Sequence, residues 1–179
     1  HLHRKTSSLG LWTAPVAETT EGMERDYWYA SARHFEEIPT PAAIGQEAAR
    51  RTLRRLGARQ PATCEVPVIY ESTVASRLLG ALAGAITGGA VYREASYLAG
   101  KLGESIAHSS ISIHDDPRIM RGPASRPYDG EGLTTQRTAI VESGVLKSYL
   151  LDTYSARKLG LTTTRSASRS LAGSPSASA

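Results

Sequence analysis

The sequence predicts an α+β fold: a mixed, largely antiparallel sheet packed against a buried glycine-rich helix and against amphipathic helices. Three stretches carry that expectation. From Ser72, Val74, Leu78, Leu82 and Ile86 recur every four residues, the spacing of one apolar helix face. From Thr40, a second helix has polar and apolar sides. Between Thr134 and Leu151, two strand-like runs meet at Ser143-Gly144, a hairpin in which Val141 and Leu146 face each other across the turn.

In the first of these, Ala75 and Leu79 flank the apolar row, while Gly80, Gly84 and Gly88 fall on the opposite side. The helix therefore has no polar face, is expected to be buried all round, and lets another backbone approach along its glycines. Leu78 to Tyr92 is uncharged, but Arg77 and Arg93 close it short of the roughly 20 apolar residues of a membrane span. Gly88-Gly89 breaks the pattern, and a second, amphipathic helix is expected after it. There Val91, Ala95, Leu98, Ala99 and Leu102 share one face, Arg93, Glu94, Tyr97 and Lys101 take the other, and Gly103 is the stop.

Before this, residues 1–21 give weak signals: Leu9, Leu11, Trp12 and Val16 could form an edge strand, limited by Pro15. Tyr27, Trp28 and Tyr29 favour a strand with large side chains on both faces, a core run rather than a stacking platform, since no basic clusters interleave with them. Thr40 is the N-cap and Pro41 the first position of the next helix, with Ile44, Ala48, Leu53 and Leu56 inward until Gly57. Arg50, Arg51, Arg54 and Arg55 lie on its outer half near Arg59, the one dense basic patch. It is either a solvated face partly tied by Glu47 or a phosphate-tracking surface for nucleic acid, and the solvated face is the simpler account. Cys64 to Tyr70 reads as a short buried strand with Pro67 near its edge; no glycine-rich loop joins it to the next helix, so a nucleotide site is unsupported.

Four patterns could carry chemistry. His108 and His114 fall on one strand face near Asp116, with Ile111 and Ile113 inward. At about 3.3 Å per residue the two imidazoles are roughly 20 Å apart and cannot share an ion. Asp129 and Glu131 are a conceivable acid pair, but Gly130 and Gly132 suggest a loop whose carboxylates are exposed or cap amides. Asp115-Asp116-Pro117 looks like a turn. Asp152 caps a last short helix ending in Arg157, Lys158 and Gly160; its Ser155 and Lys158 match a Ser-x-x-Lys spacing without a partner motif.

The chain of 179 residues suffices for one ordinary domain, with 21 Lys+Arg against 17 Asp+Glu giving a mildly basic +4. A lone cysteine, Cys64, excludes an internal disulfide and an all-cysteine zinc cluster; with no signal peptide apparent, the cytoplasm is the expected compartment. The first Met is Met23, so the chain reads as a piece of something longer, organised as a weakly defined segment 1–21, a partial domain 22–161 and a loose Ser/Ala/Arg-rich tail 162–179.

With these segments in view, the chain resembles the PmbA (TldE) branch of the TldD/PmbA family. The resemblance rests on Gly22-Met-Glu-Arg-Asp-Tyr-Trp-Tyr, Glu47-Ala-Ala-Arg-Arg-Thr-Leu, Gly84-Ala-Ile-Thr-Gly-Gly-Ala-Val-Tyr-Arg, Tyr128-Asp-Gly-Glu-Gly and Tyr149-Leu-Leu-Asp-Thr-Tyr-Ser-Ala-Arg-Lys-Leu-Gly, in order from Gly22 to Leu161. It implies a cytoplasmic bacterial system in which a TldD subunit and a PmbA-type subunit pair to process peptides, with zinc in the TldD-like partner and none in this chain. TldD-like members carry His-Glu-x-x-x-His on the equivalent helix, where two imidazoles hold zinc and the Glu acts as base. Gly80, Ala81 and Ala85 occupy those positions here and lack donor atoms. The resemblance thus implies a metallopeptidase family member without its own catalytic zinc site. Its expected partners are a TldD-like protein and a peptide added to a strand edge, with self-association conceivable and no membrane. The family's older name, modulator of DNA gyrase, implies the alternative of a regulator bound to gyrase or DNA through Arg50, Arg51, Arg54 and Arg55.

Overall fold

A computed structural model describes residues 5–168 and the backbone of 176 and 177. The fold is α+β with small antiparallel sheets, as expected, but the chain divides into two compact units, His1–Pro67 and Val68–Ala179, where one domain was expected.

In the first unit, β1 (Leu9–Thr13) pairs antiparallel with β4 (Trp28–Ala32), and β2 (Val16–Thr19) with β3 (Gly22–Arg25). Alternation on β1 and β4 puts Trp12 beside Tyr29 on one face, and both are more than half exposed. The aromatic run is therefore only partly core: Tyr27 and Tyr29 point outward and stack on each other at 6.2 Å. Helix α1 (Pro41–Arg55) starts as its sequence dictates, Thr40 Oγ1 accepting from the Ala43 amide at 3.3 Å. Its buried stripe is Ile44, Ala48 and Thr52 rather than one including Leu53, which faces solvent. Strict four-residue spacing selects Thr52, whose hydroxyl bonds Ala48 O at 2.9 Å and accepts the Asp26 amide at 3.2 Å.

The second unit is built around Ile86, Val91, Leu98, Ile140, Val141, Leu146, Tyr149, Leu150, Leu151 and Ala156. The elements are α2 (Ser72–Ala85), α3 (Gly88–Tyr92), β5 (Ile113–Asp115), β6 (Thr138–Glu142), β7 (Val145–Leu146), α4 (Thr153–Leu159), β8 (Ala167–Ser168) and β9 (Ser176–Ala177). The sheet runs β5-β6-β7, and the hairpin forms as predicted: Val141 pairs with Leu146, and Ser143 (φ 47) and Gly144 (φ 81) supply the left-handed pair of a two-residue turn. Helix α4 is equally local in origin. Asp152 Oδ1 accepts the Ser155 amide at 2.7 Å, and Gly160 closes the helix in the left-handed region at φ 67.

Other expectations fail for physical reasons. Helix α2 has no buried residue; Leu78 and Leu79 are each 53% exposed, and only its last turn, at Leu82 and Ala85, reaches the core. Among the described residues, nothing closes on the Gly80 and Gly84 side. The break at Gly88-Gly89 does occur, α2 ending at Ala85 and α3 beginning at Gly88, where Gly88 N bonds Leu150 O at 2.8 Å and Leu150 N bonds Ile86 O at 2.9 Å and pin the chain to the core. The amphipathic helix through Leu102 shrinks to α3: Glu94 adopts φ 55, and Tyr149 Oη, donating to Leu98 O at 2.6 Å and accepting from the Lys101 amide at 3.1 Å, holds the following residues in turns. Cys64 to Tyr70 forms no strand: it is exposed and outside any ladder, with Ile69 97% exposed. Only Ile113–Asp115 of the expected 108–116 strand forms, since Ile111 N bonds His108 O in a turn. The tail is not loose where it is described. Thr164 Oγ1 accepts the Leu151 amide at 2.6 Å and Ala167 is fully buried, so hydroxyls that satisfy the backbone of a core residue replace the large apolar residues the segment lacks. Residues 169–175, 178 and 179 of that segment lie outside the described residues.

Candidate functional site

The α2 helix is where a metal centre is to be tested. Its N-terminus has no side-chain cap; Val74 N and Ala75 N bond the Glu71 carbonyl at 2.9 and 2.8 Å. Gly80 and Ala81 are exposed and Ala85 is half-buried, and a Cβ on Gly80 would meet nothing within 4 Å. Zinc takes thiolate, imidazole or carboxylate donors, three from protein in a catalytic site. None of these three residues carries a donor, and no histidine lies in the helix. His108 Nδ1 is engaged with Ser110 Oγ at 2.9 Å, and His114 sits on β5. Among the described residues no three His, Cys, Asp or Glu converge on a point that could hold a metal. Gly80, Ala81 and Ala85 on α2 do not fit zinc.

The acid pair is structural. Asp129 is 4% exposed; its Oδ1 accepts the Glu131 and Leu133 amides at 3.0 and 2.9 Å, and its Oδ2 accepts the Ala167 amide at 3.3 Å. Glu131 Oε2 accepts from Thr153 N at 3.0 Å and Thr153 Oγ1 at 2.5 Å, at the start of α4. Both carboxylates are thus occupied in fastening a loop, one to the tail segment and one to a helix N-terminus, where negative charge is favoured. Ser155 is buried with Oγ donating to Asp152 Oδ1 at 2.5 Å, while Lys158 Nζ lies 5.7 Å over the Tyr154 ring; the two do not form a nucleophile and base.

The basic patch is largely matched inside its own unit. Arg50 binds Glu47 with contacts of 2.8 and 2.6 Å, Arg51 stacks 5.0 Å over Trp28 with Nε 3.6 Å from Asp26, and Arg55 lies 3.3 Å from Glu24. The Arg50 bond holds the Glu47 carboxyl below its ordinary value. Arg54 is the remaining member, exposed in the last turn of α1.

One group was not singled out by the sequence. Asp115, read as part of a turn, is instead the last residue of β5, half-buried opposite Thr138; the turn begins at Asp116, whose Oδ1 accepts the Arg118 amide at 3.0 Å. Burial pushes the Asp115 carboxyl above its ordinary range, Arg126 opposes this and Asp116 adds to it. Period-two spacing from Ile111 and Ile113 already placed Asp115 on the inward face, the signal that could have found it.

Residues 63–179 match the family model described as the PmbA/TldA metallopeptidase C-terminal domain. The chain belongs to this family. It is 44% identical over 154 residues to Metalloprotease PmbA of Escherichia coli O157:H7, covering 86% of this chain and 34% of that protein. It is 36% identical to the Metalloprotease PmbA homolog of Haemophilus influenzae, covering 89% and 35%. A crystal structure from Thermotoga maritima, of a candidate modulator of a DNA gyrase, superposes with a TM-score of 0.83 at 30% identity, over 92% of this chain and 37% of that one. TldE from Thermococcus kodakarensis, at 20% identity and a TM-score of 0.75 over 96% and 39%, shares the fold. The chain spans about a third of the length of these relatives.

Proposed function

We propose that this chain serves as a PmbA/TldE-like, non-catalytic subunit of a TldD-type zinc metallopeptidase complex acting in peptide maturation and proteolysis in the cytoplasm. The observation behind it is the donor-free α2: Gly80, Ala81 and Ala85 stand where the resemblance calls for a zinc-binding motif. Zinc and the water it activates then belong to a TldD-like partner. This chain supplies packing surface and an edge along which an extended peptide substrate can pair through backbone hydrogen bonds. The test uses a full-length relative such as E. coli PmbA. Mixed with a TldD-like protein, it restores peptide cleavage that neither shows alone, with zinc retained on the TldD-like chain; cleavage by the PmbA-type protein alone would contradict the assignment.

A second reading, regulation of gyrase or of its DNA, has the arginines of α1 in its favour. Its signature is binding that falls steeply with salt and with Arg50→Glu and Arg54→Glu together. Because Arg50, Arg51 and Arg55 already face carboxylates, the peptidase-partner reading is the better supported.

A further inference from the structure

The β1 and β4 ladder of the first unit has one face turned to α1 and one turned away from it. Trp28 faces α1, where the Arg51 guanidinium lies 5.0 Å over its ring, so strand alternation turns Tyr29 and its cross-strand partner Trp12 to the other side. Tyr27 joins them, its ring stacked on that of Tyr29 at 6.2 Å. Trp12 is 71% exposed, Tyr27 49% and Tyr29 54%. On the same face the ladder next pairs Gly10 with Ser31, both too small to fill the space beside such rings. A large pair beside a small one leaves an apolar hollow of about 390 Å³, lined by that pair and by the three rings.

A second hollow, of about 410 Å³, shares Trp12 and Tyr27 with the first and carries Arg25, Asp26 and Arg55. Two of these charges are already matched. Asp26 accepts the Tyr27 amide at 2.8 Å and lies 3.6 Å from Arg51, and Arg55 lies 3.3 Å from Glu24. Arg25 is exposed and has no carboxylate partner among the described residues. The unmatched charge beside the aromatic hollow is therefore positive, and its complement is an anion joined to an aromatic group. A free aromatic acid would keep much of its surface in water between half-exposed rings, whereas small-molecule sites enclose most of their ligand. A nucleic-acid strand calls for a row of cations along its backbone, and here a single one is spare. An extended peptide can place two adjacent side chains in the two hollows at once. We propose that this face of β1 and β4 docks an acidic peptide segment, an aromatic side chain of the peptide seated among Trp12, Tyr27 and Tyr29 and a neighbouring Asp or Glu on Arg25.

The test is fluorescence anisotropy of a fluorescein-labelled peptide with the core Gly-Phe-Asp-Gly, titrated with this chain. Trp12→Ala in the chain, or Ala for Phe in the peptide, is expected to weaken binding about tenfold or more, the loss of an aromatic anchor. Arg25→Gln weakens it about threefold at low salt, an effect that fades as salt is raised. A second measurement needs no variant: in nitrogen-edited spectra the peptide moves the Trp12 indole N–H resonance and leaves that of Trp28, beneath Arg51, in place. No binding at millimolar peptide, equal binding of the Phe and Ala peptides, or a Trp12 resonance unmoved at saturation overturns the proposal. So does tighter binding of Gly-Phe-Lys-Gly, which would mark a cation cage, of a proline-rich peptide, or of oligothymidylate. The site lies outside residues 63–179 and the titration involves neither zinc nor a second subunit, so its failure would leave the subunit assignment standing.

Discussion

Gly80 and Gly88 belong to one glycine row in the sequence and have opposite surroundings in the structure. A Cβ on Gly88 would lie 2.0 Å from Ser155 Oγ and 2.4 Å from Ser155 Cβ, whereas a Cβ on Gly80 meets nothing within 4 Å. The same contrast separates Leu146, fully buried on β7, from Leu78 on α2. Hydrophobic spacing states that a face is to be covered; it does not say by what. Where the cover is a neighbour in the same unit, as for Ile86 and Leu151, pattern and packing agree, and where it is not, the pattern stands exposed.

The contrast can be broken first at the leucines. Leu146→Ala is expected to cost about 2–5 kcal/mol of unfolding free energy, and Leu78→Ala less than about 0.5 kcal/mol, both read from denaturant titration. Equal losses would mean that α2 is packed within this chain. Gly88→Ala comes next, at about 1–3 kcal/mol, because the atoms in its way are the Oγ and Cβ of a buried Ser155, its hydroxyl bonded to Asp152, and a core Leu151 methyl. Asp152→Ala should cost about 1 kcal/mol through the lost cap of α4, leaving the buried Ser155 hydroxyl without its carboxylate. Gly80→Ala should stabilise, by about 0.5–1 kcal/mol, since an open helix position gains from alanine.

The smallest effect is a pH dependence. With its folded value raised, Asp115 is protonated more readily in the folded state, so its contribution is complete below the ordinary value of 3.8 and is lost as pH rises through the raised folded value. Asp115→Asn therefore melts higher relative to the parent above that window than below it, seen in thermal melts at neutral and acid pH. An Asn variant whose offset does not change with pH would show that burial does not hold the proton.

What could be read from sequence was local. The turn at Ser143-Gly144, the Thr40-Pro41 start of α1 and the Asp152 and Gly160 caps of α4 each depend on a few adjacent residues and appear as expected. The Asp129 and Glu131 loop was legible only as carboxylates either exposed or capping amides; the structure takes the second, and the attachment to Ala167 and Thr153 was not legible because those partners lie far along the chain. The fate of 91–102 turned on Tyr149, distant in sequence, whose hydroxyl captures the backbone at Leu98 and Lys101. Tail residues 163–168 escaped because hydroxyl side chains can fasten a segment to the core backbone at Leu151 without apolar bulk. In the candidate site, the residue types at 80, 81 and 85 were legible directly, whereas the exposure of their helix required the three-dimensional arrangement.

The measurement closest to the central claim is zinc analysis of this chain after purification with zinc supplied and dialysis against a mild chelator. An α2 that offers only Gly80, Ala81 and Ala85 predicts zinc at background, unchanged by Ala81→Ser. Stoichiometric zinc that survives dialysis would contradict it.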